Sequence, residues 1–230
     1  PMAKNIDEVV LPDFLSTGQR NAIFLGLSTQ DRFIGVQGIA GSGKTTMMRL
    51  LQEQAVKVGY QVIGVAPTHV AVHKLNEAIN PVLTRFEKAG IPAMTVHKFL
   101  GDDETEYSDK TLLIVDESSM LGNRLFNDIQ EKVVKRGIRA MFAGDKGQNP
   151  AIDSGKPFEL SMATKQFHYV MMPEIQRQKD PTYQKAVHAA AKKDIKGSFE
   201  HLEKINPKDH VQRHAQFCDH PSTSSVVEVP

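Results

Sequence analysis

Gly38, Gly43, Lys44 and Thr45 satisfy G-x-x-x-x-G-K-[ST] within the stretch VQGIAGSGKTTMM. Glycines let backbone N–H groups curl around phosphate oxygens with no Cβ in the way. A lysine at position 44 reaches the β- and γ-phosphates of a nucleotide, and a hydroxyl at Thr45 ligates Mg²⁺. Gly41 and Thr46 belong to the same loop and are counted with the site. With glycine near ~7% of residues, the four fixed positions arise by chance in about one chain in a hundred of this length. Here they also lie between an apolar run and a helical pattern, as the mechanism requires, so a phosphate loop is the stronger reading.

Asp116 and Glu117 close a second apolar run, TLLIVDE. A first carboxylate there holds Mg²⁺ through water, and a second orients and deprotonates the attacking water. Alone, two acids ending a strand are better read as solvated. Coupled to a phosphate loop they point to nucleotide hydrolysis. No N-K-x-D guanine-reading sequence is present, which disfavours a GTPase. AGDKGQNPAI follows the next apolar run, and Asp145 and Gln148 are expected to face the nucleotide, with the Gln148 amide sensing the γ-phosphate.

These residues need a scaffold that brings distant segments to one edge. Strand candidates run over Arg32–Ile39, Tyr60–Thr68, Thr111–Glu117, Ile138–Asp145 and His168–Met172. Helical spacing of apolar residues predicts helices over 45–59, 69–79, 123–137 and, with a break at Gly197, from Pro181 to Ile205. Strands that are apolar throughout and alternate with helices predict an α/β fold, a parallel sheet with helices on both faces. Ligands then sit beyond the carboxyl ends of the strands. The glycine loop, APTH, VDES and AGDKGQ all fall there.

The 230 residues suit one large domain, and 40% hydrophobic with 24% charged residues is ordinary globular composition. A formal net charge of +1 decides nothing about nucleic acid, because a basic groove can hide in a balanced total. The one cysteine, Cys218, excludes an internal disulfide framework and suggests a reducing, cytoplasmic setting; it reads as incidental. No signal peptide or long apolar run appears, so no membrane insertion is expected. The chain opens on Pro1, as a piece of something longer would. His69 and His73 stand four apart, but no glutamate lies between them as in H-E-x-x-H and no third ligand is apparent, so zinc is disfavoured. The acidic segment Asp102–Lys110 reads as a solvated loop.

GIAGSGKTT, APTHVAVHKL, TVHKFL, LIVDESSM, AGDKGQNPAI and PEIQRQ occur in the order of superfamily 1 helicase motifs. With LSTGQRNAI upstream, GNRLFNDI and SGKPFELS, the chain resembles the RecD-like motor of conjugative relaxase-helicases of the TraI type, from about Leu15 to Ile205. The resemblance implies a P-loop NTPase of RecA-like fold that uses ATP and Mg²⁺. By it, Gln19 contacts the adenine, Gln148 couples the γ-phosphate to movement between domains, and Arg177 acts as an arginine finger. Lys44, Thr45, Asp116 and Glu117 keep the roles argued above. Pro67, Thr68 and His69, with Thr95, His97 and Lys98, line a path for single-stranded DNA, gripping phosphates with little sequence information.

The implied layout is a helical segment with Gln19 over 1–31, a RecA-like ATPase domain over 32–180, a helical extension over 181–206 and a loose tail over 207–230. The tail leads toward a second RecA-like domain of the same parent, whose motifs are absent here. Two further departures are Asn149, where relatives of this kind carry Leu, and the shortness of the acidic loop, which leaves little room for a strand-separating pin. The expected function is an ATP-driven DNA helicase motor serving plasmid conjugation, hydrolysing slowly or not at all as a fragment. A catalytically idle single-stranded-DNA-binding module of a relaxase, or a RecD-like repair helicase, are the alternatives. An idle copy should have lost Lys44 or the acid pair, and both are present.

Overall fold

The computed structural model describes residues 1–3, 5–79, 91–147 and 155–174, with isolated positions 185, 189, 194, 196, 197 and 200. The chain divides into two compact units, residues 1–177 and 178–230. In the first, helix α1 (Thr17–Ser28) precedes β1 (Phe33–Gly38), α2 (Lys44–Lys57), β2 (Gln61–Ala66) and α3 (His69–Ile79). Then come β3 (Met94–Thr95), α4 (Val96–Gly101), β4 (Thr111–Val115), a 3-10 turn (Ser118–Met120), α5 (Asn123–Lys135), β5 (Arg139–Gly144), α6 (Pro157–Ala163) and β6 (His168–Met172). The six strands form one sheet in the order β3-β2-β4-β5-β1-β6, every pair parallel.

The α/β reading of the sequence is borne out, and the reason is visible in β4. All five of its residues are buried, and alternation sends them to two different cores. Leu112 and Ile114 join a cluster with Ala22, Ile23 and Leu27 of α1, Met47 and Leu51 of α2, and Leu75 and Ile79 of α3. Leu113 and Val115 join one with Phe99 of α4, Phe126, Ile129 and Val133 of α5, and Phe158 of α6. Phe142 of β5 anchors that second core, its ring centroid 4.5 Å from that of Phe126 and 6.0 Å from that of Phe167. Burying a side chain of this size stabilises the fold by roughly 2 kcal/mol.

One strand and two α-helices had no counterpart in the sequence reading. β3 is two residues long, too short for a period to show, and exists because Val65 and Ala66 of β2 pair with Met94 and Thr95. The short α4 follows it directly, and Thr95 Oγ1 caps it by accepting from Lys98 N at 3.2 Å. α6 begins on Pro157, whose missing N–H is no loss in a first turn.

The acidic segment is not a free solvated loop. Lys132 of α5, only 8% exposed, donates from Nζ to the carbonyls of Leu100 (3.0 Å) and Asp102 (2.6 Å). The same ammonium lies 5.3 Å from the centre of the Phe99 ring and 3.4 Å from the Asp103 carboxylate. The Asp102 side chain accepts from both the backbone and the hydroxyl of Thr105, which holds its carboxyl below the ordinary value. A cation that looked like one more charge on an amphipathic helix therefore fastens the loop to the body. No described helix is long and apolar enough to cross a membrane.

Candidate nucleotide site

β1 delivers Gly38 to the carboxyl edge, and the chain turns back through Gly41 and Gly43, at φ 78° and 81°, before α2 starts at Lys44. Positive φ is the reason glycine stands at 41 and 43. Close approach is the reason at 38: a Cβ there would lie 2.6 Å from Ser42 Oγ and 2.8 Å from Lys44 Cγ. Lys44 Nζ donates to the Gly38 carbonyl at 2.7 Å, folded back across its own loop. Ser42 Oγ is buried with no partner among the described residues.

Gln19 sits beneath this loop, 3% exposed. Its Oε1 accepts from Ser16 N at 3.0 Å, closing a capping box with Ser16 at the start of α1. Its Nε2 donates to the Gly43 carbonyl at 3.1 Å. The resemblance implies an adenine contact for this amide; in the structure its two ends rest on Ser16 and Gly43, and it ties α1 to the last turn of the loop.

Asp116 and Glu117 follow β4, and β5 lies between β4 and β1. Two strand spacings of about 4.8 Å put the acid pair roughly 10 Å across from the loop, room for a row of phosphates. A cavity of about 500 Å³ occupies that space, lined by the loop, Lys44, Thr45, Thr46, Asp116, Glu117 and, from α3, Lys74. Lys74 was missed in the sequence because it reads as one more cation on an amphipathic helix.

Glu117 has φ 52° and ψ 37°, a left-handed conformation that costs a non-glycine residue roughly 1–2 kcal/mol. Its N–H donates to Asp116 Oδ1 at 2.9 Å, and Ser118 Oγ donates to the Val115 carbonyl at 2.8 Å, so the turn is held on both sides. Gly144 of β5 packs against it so closely that a Cβ would lie 2.9 Å from Ser119 N. Burial first, and then the negative charge of Glu117, push the Asp116 carboxyl up to about 6, while Lys44 and Lys74 pull the other way. Two crowded carboxylates opposite a hydroxyl at Thr45 are a set that a divalent cation would relieve. Together with the unpartnered Ser42 hydroxyl and the glycine cradle, they fit a metal-bound nucleotide.

Asp145 does not line this cavity. Its side chain, 4% exposed in the residue as a whole, accepts from Gln37 Nε2 at 3.3 Å and from Gly147 N at 2.9 Å. The expectation that it faces the nucleotide is corrected: a short turn after β5 directs it inward. Gln148 and Arg177 lie outside the described residues.

The residues read as a DNA path gather beside the nucleotide cavity. The pairing of Ala66 with Thr95 sets Pro67, Thr68 and His69 next to Thr95, His97 and Lys98. Thr68, His69, His97 and Lys98 are exposed, while Pro67 and Thr95 are half-buried. Thr68 Oγ1 accepts from Ala71 N at 3.2 Å and Thr95 Oγ1 from Lys98 N, so each hydroxyl keeps its proton to donate outward. His73 Nδ1 stands 3.5 Å from Glu77 on the exposed side of α3.

Comparison with known proteins adds a family to this geometry. The profile of the AAA domain matches residues 14–216. The chain belongs to the AAA-domain family. It is 34% identical over 208 residues to the multifunctional conjugation protein TraI of Escherichia coli (strain K12), covering 86% of this chain and 11% of that one. It is 28% identical over 169 residues to a probable conjugal transfer protein TraA of Sinorhizobium fredii, covering 72% and 14%. It is 32% identical over 133 residues to the ATP-dependent RecD2 DNA helicase of Deinococcus radiodurans, covering 55% and 17%. These relatives bear out the resemblance to a superfamily 1, RecD-like, TraI-type motor domain with a P-loop RecA-like fold. The AAA domain described here spans about a tenth to a sixth of the length of those relatives.

Proposed function

We propose that this AAA domain is the ATP-hydrolysing motor of a DNA helicase that moves on single-stranded DNA, within a relaxase-helicase for plasmid transfer. The observation that carries the reading is that Lys44, Thr45, Asp116 and Glu117 line one cavity while α3, starting at His69, lines it with Lys74. One helix thus runs from the candidate DNA surface into the nucleotide site.

In this reading Lys44 leaves the Gly38 carbonyl for the β- and γ-phosphates of ATP, and Gly38, Gly41, Gly43 and Thr46 frame them with the loop's backbone. Thr45 and Asp116 would hold Mg²⁺, which would neutralise charge on the phosphates. Glu117 takes the proton of the attacking water. Gln19 contacts the adenine and braces the loop through its bond to the Gly43 carbonyl. Gln148 senses the γ-phosphate and Arg177 stabilises charge on the transferred phosphoryl group. Pro67, Thr68, His69, Thr95, His97 and Lys98 hold the phosphates of single-stranded DNA. Residues 1–31, 32–180, 181–206 and 207–230 form the helical segment, ATPase domain, extension and tail. A second RecA-like domain in the same parent completes the site, so that the chain alone hydrolyses slowly. The motor works in the cytoplasm, with conjugation proteins as partners.

The test is ATP turnover, with and without single-stranded DNA, by this chain and by a longer chain that carries it. DNA should stimulate the longer chain, and Lys44→Ala should lower its turnover at least about 100-fold. Equal turnover with and without Lys44 would overturn the assignment. Brisk DNA-stimulated hydrolysis by the 230 residues alone would overturn the need for a second domain.

A further inference from the structure

Gln37 is the residue before the phosphate loop, stands next to last in an apolar strand, and is 1% exposed. A buried carboxamide left without partners costs roughly 1–3 kcal/mol, so its hydrogen bonds show what holds it in the core. Both ends go to one place. Nε2 donates to Asp145 Oδ1 at 3.3 Å, and Oε1 accepts from Lys146 N at 3.1 Å. Asp145 Oδ1 in turn accepts from Gly147 N at 2.9 Å. The main chain of Gln37 is in register with Gly144, so strand pairing and side chain both fasten β1 to the turn after β5. The next carbonyl along, that of Gly38, is the one Lys44 Nζ holds.

We propose that Gln37 is a positioning residue: it couples the phosphate loop to the turn at 145–147, so that nucleotide binding to the loop is felt in that turn. The proposal rests on the nucleotide-site reading above. When phosphates draw Lys44 away from the Gly38 carbonyl, the 38–39 peptide, one residue beyond Gln37, loses its charged donor and relaxes. Only Gly38 separates that peptide from Gln37, whose side chain, buried and bonded at both ends, grips a backbone N–H and a carboxyl group of the turn. A merely structural pin would hold the turn equally in both states of the loop.

Hydrogen–deuterium exchange at the Lys146 and Gly147 amides, with and without a non-hydrolysable ATP analogue and Mg²⁺, reads the coupling directly. Wild type should change its exchange there by about tenfold on nucleotide addition. Gln37→Met, similar in volume but unable to hydrogen-bond as an amide, should abolish that response while nucleotide affinity stays within about threefold. Gln37→Glu alone faces a carboxylate toward Asp145 and should also abolish it. Gln37→Glu combined with Asp145→Asn exchanges the amide and acid and should restore it, which also guards against a misfolded single variant. The proposal is overturned if wild type shows no nucleotide response at these amides, if Gln37→Met keeps it, if affinity and response fall together, or if the double variant does not rescue. Nucleotide affinity of Lys44→Ala is measured in parallel. Binding as tight as wild type there counts against the nucleotide-site reading and leaves the exchange result to be judged on its own.

Discussion

At the amino ends of β1, β5 and β6, the Arg139 guanidinium donates to the carbonyls of Thr29 and Asp31, at 2.5 and 2.6 Å from Nη2, and to Asp31 again from Nε at 3.2 Å. Asp31 also meets His168 Nδ1, and that hydrogen bond is the main reason its carboxyl sits below the ordinary value. At the carboxyl ends of β1, β4 and β5 the same sheet carries Lys44 on a single carbonyl, an Asp116 held up near 6, and Glu117 in a left-handed conformation. Of the buried hydroxyls without a partner among the described residues, Ser42 and Ser119 lie at this edge, and Thr111 at the start of β4. At the amino end the charged groups are matched to fixed partners, and the Thr111 hydroxyl stands apart from that pattern; the carboxyl end holds charges and strain in reserve for a ligand. Stability and chemistry are thus separated along the length of the strands, which variants at the two ends can test.

The largest expected effect is Glu117→Gln in a chain competent for turnover. Hydrolysis should fall about 1,000-fold while nucleotide affinity stays within about threefold, because the proposed proton acceptor goes and the proposed phosphate cradle remains. Steady-state turnover and a fluorescent-nucleotide titration check it; an equal loss of affinity would make Glu117 part of the cradle. Next comes Arg139→Ala at the opposite end. It should cost about 3 kcal/mol of stability in urea unfolding, from charge-assisted bonds and orphaned carbonyls, and leave nucleotide affinity unchanged. If affinity falls with stability, the two ends are not separate.

Asp116→Asn should do the reverse of Arg139→Ala. Because the folded state raises this carboxyl to about 6, protonation stabilises the fold fully below the ordinary value of 3.8, and that stabilisation is lost as pH rises through 6. At pH 8 the ionised group is a net cost, so the amide should stabilise by roughly 1–3 kcal/mol, while at pH 3.5 the two proteins should unfold alike. Unfolding curves at both pH values decide it, and a destabilised variant at pH 8 would show that the carboxylate is not under strain. The smallest effect is His168→Ala. Asp31 is held below its ordinary value, so the pair's contribution is present at neutral pH and fades as pH falls into the acid range. Both partners are exposed, and the loss at pH 6.5 should be within about 0.5 kcal/mol in the same unfolding assay.

Much of this was legible in the sequence for physical reasons that are local. His69–Ile79 and His168–Met172 were read with the bounds they have, since an amphipathic period and an apolar run declare themselves over a short window. The phosphate loop and acid pair were legible because their chemistry demands particular residues at strand ends. What stayed hidden depends on pairs of positions far apart in the chain. Nothing in the sequence sets Gln37 apart, and only its approach to Asp145 gives it work. Nothing in the sequence sets Lys132 and Lys74 apart from other charges on amphipathic helices; the fold places one over Phe99 and the other in the nucleotide cavity. The inward turn of Asp145 follows from the Gly147 N–H behind it, a backbone detail with no sequence period. Gln148, Arg177 and the 181–205 helix fall outside the described residues or nearly so.

The left-handed Glu117 turns position 117 into a gauge of what selection is asking of such a chain. The backbone there would prefer glycine or asparagine; only the need for a carboxylate argues for glutamate. A copy of this domain relieved of hydrolysis would gain stability by drifting to either residue, and one still under demand would not. Which residue occupies the position should therefore separate working motors from retired ones among this chain's relatives, before any assay is run.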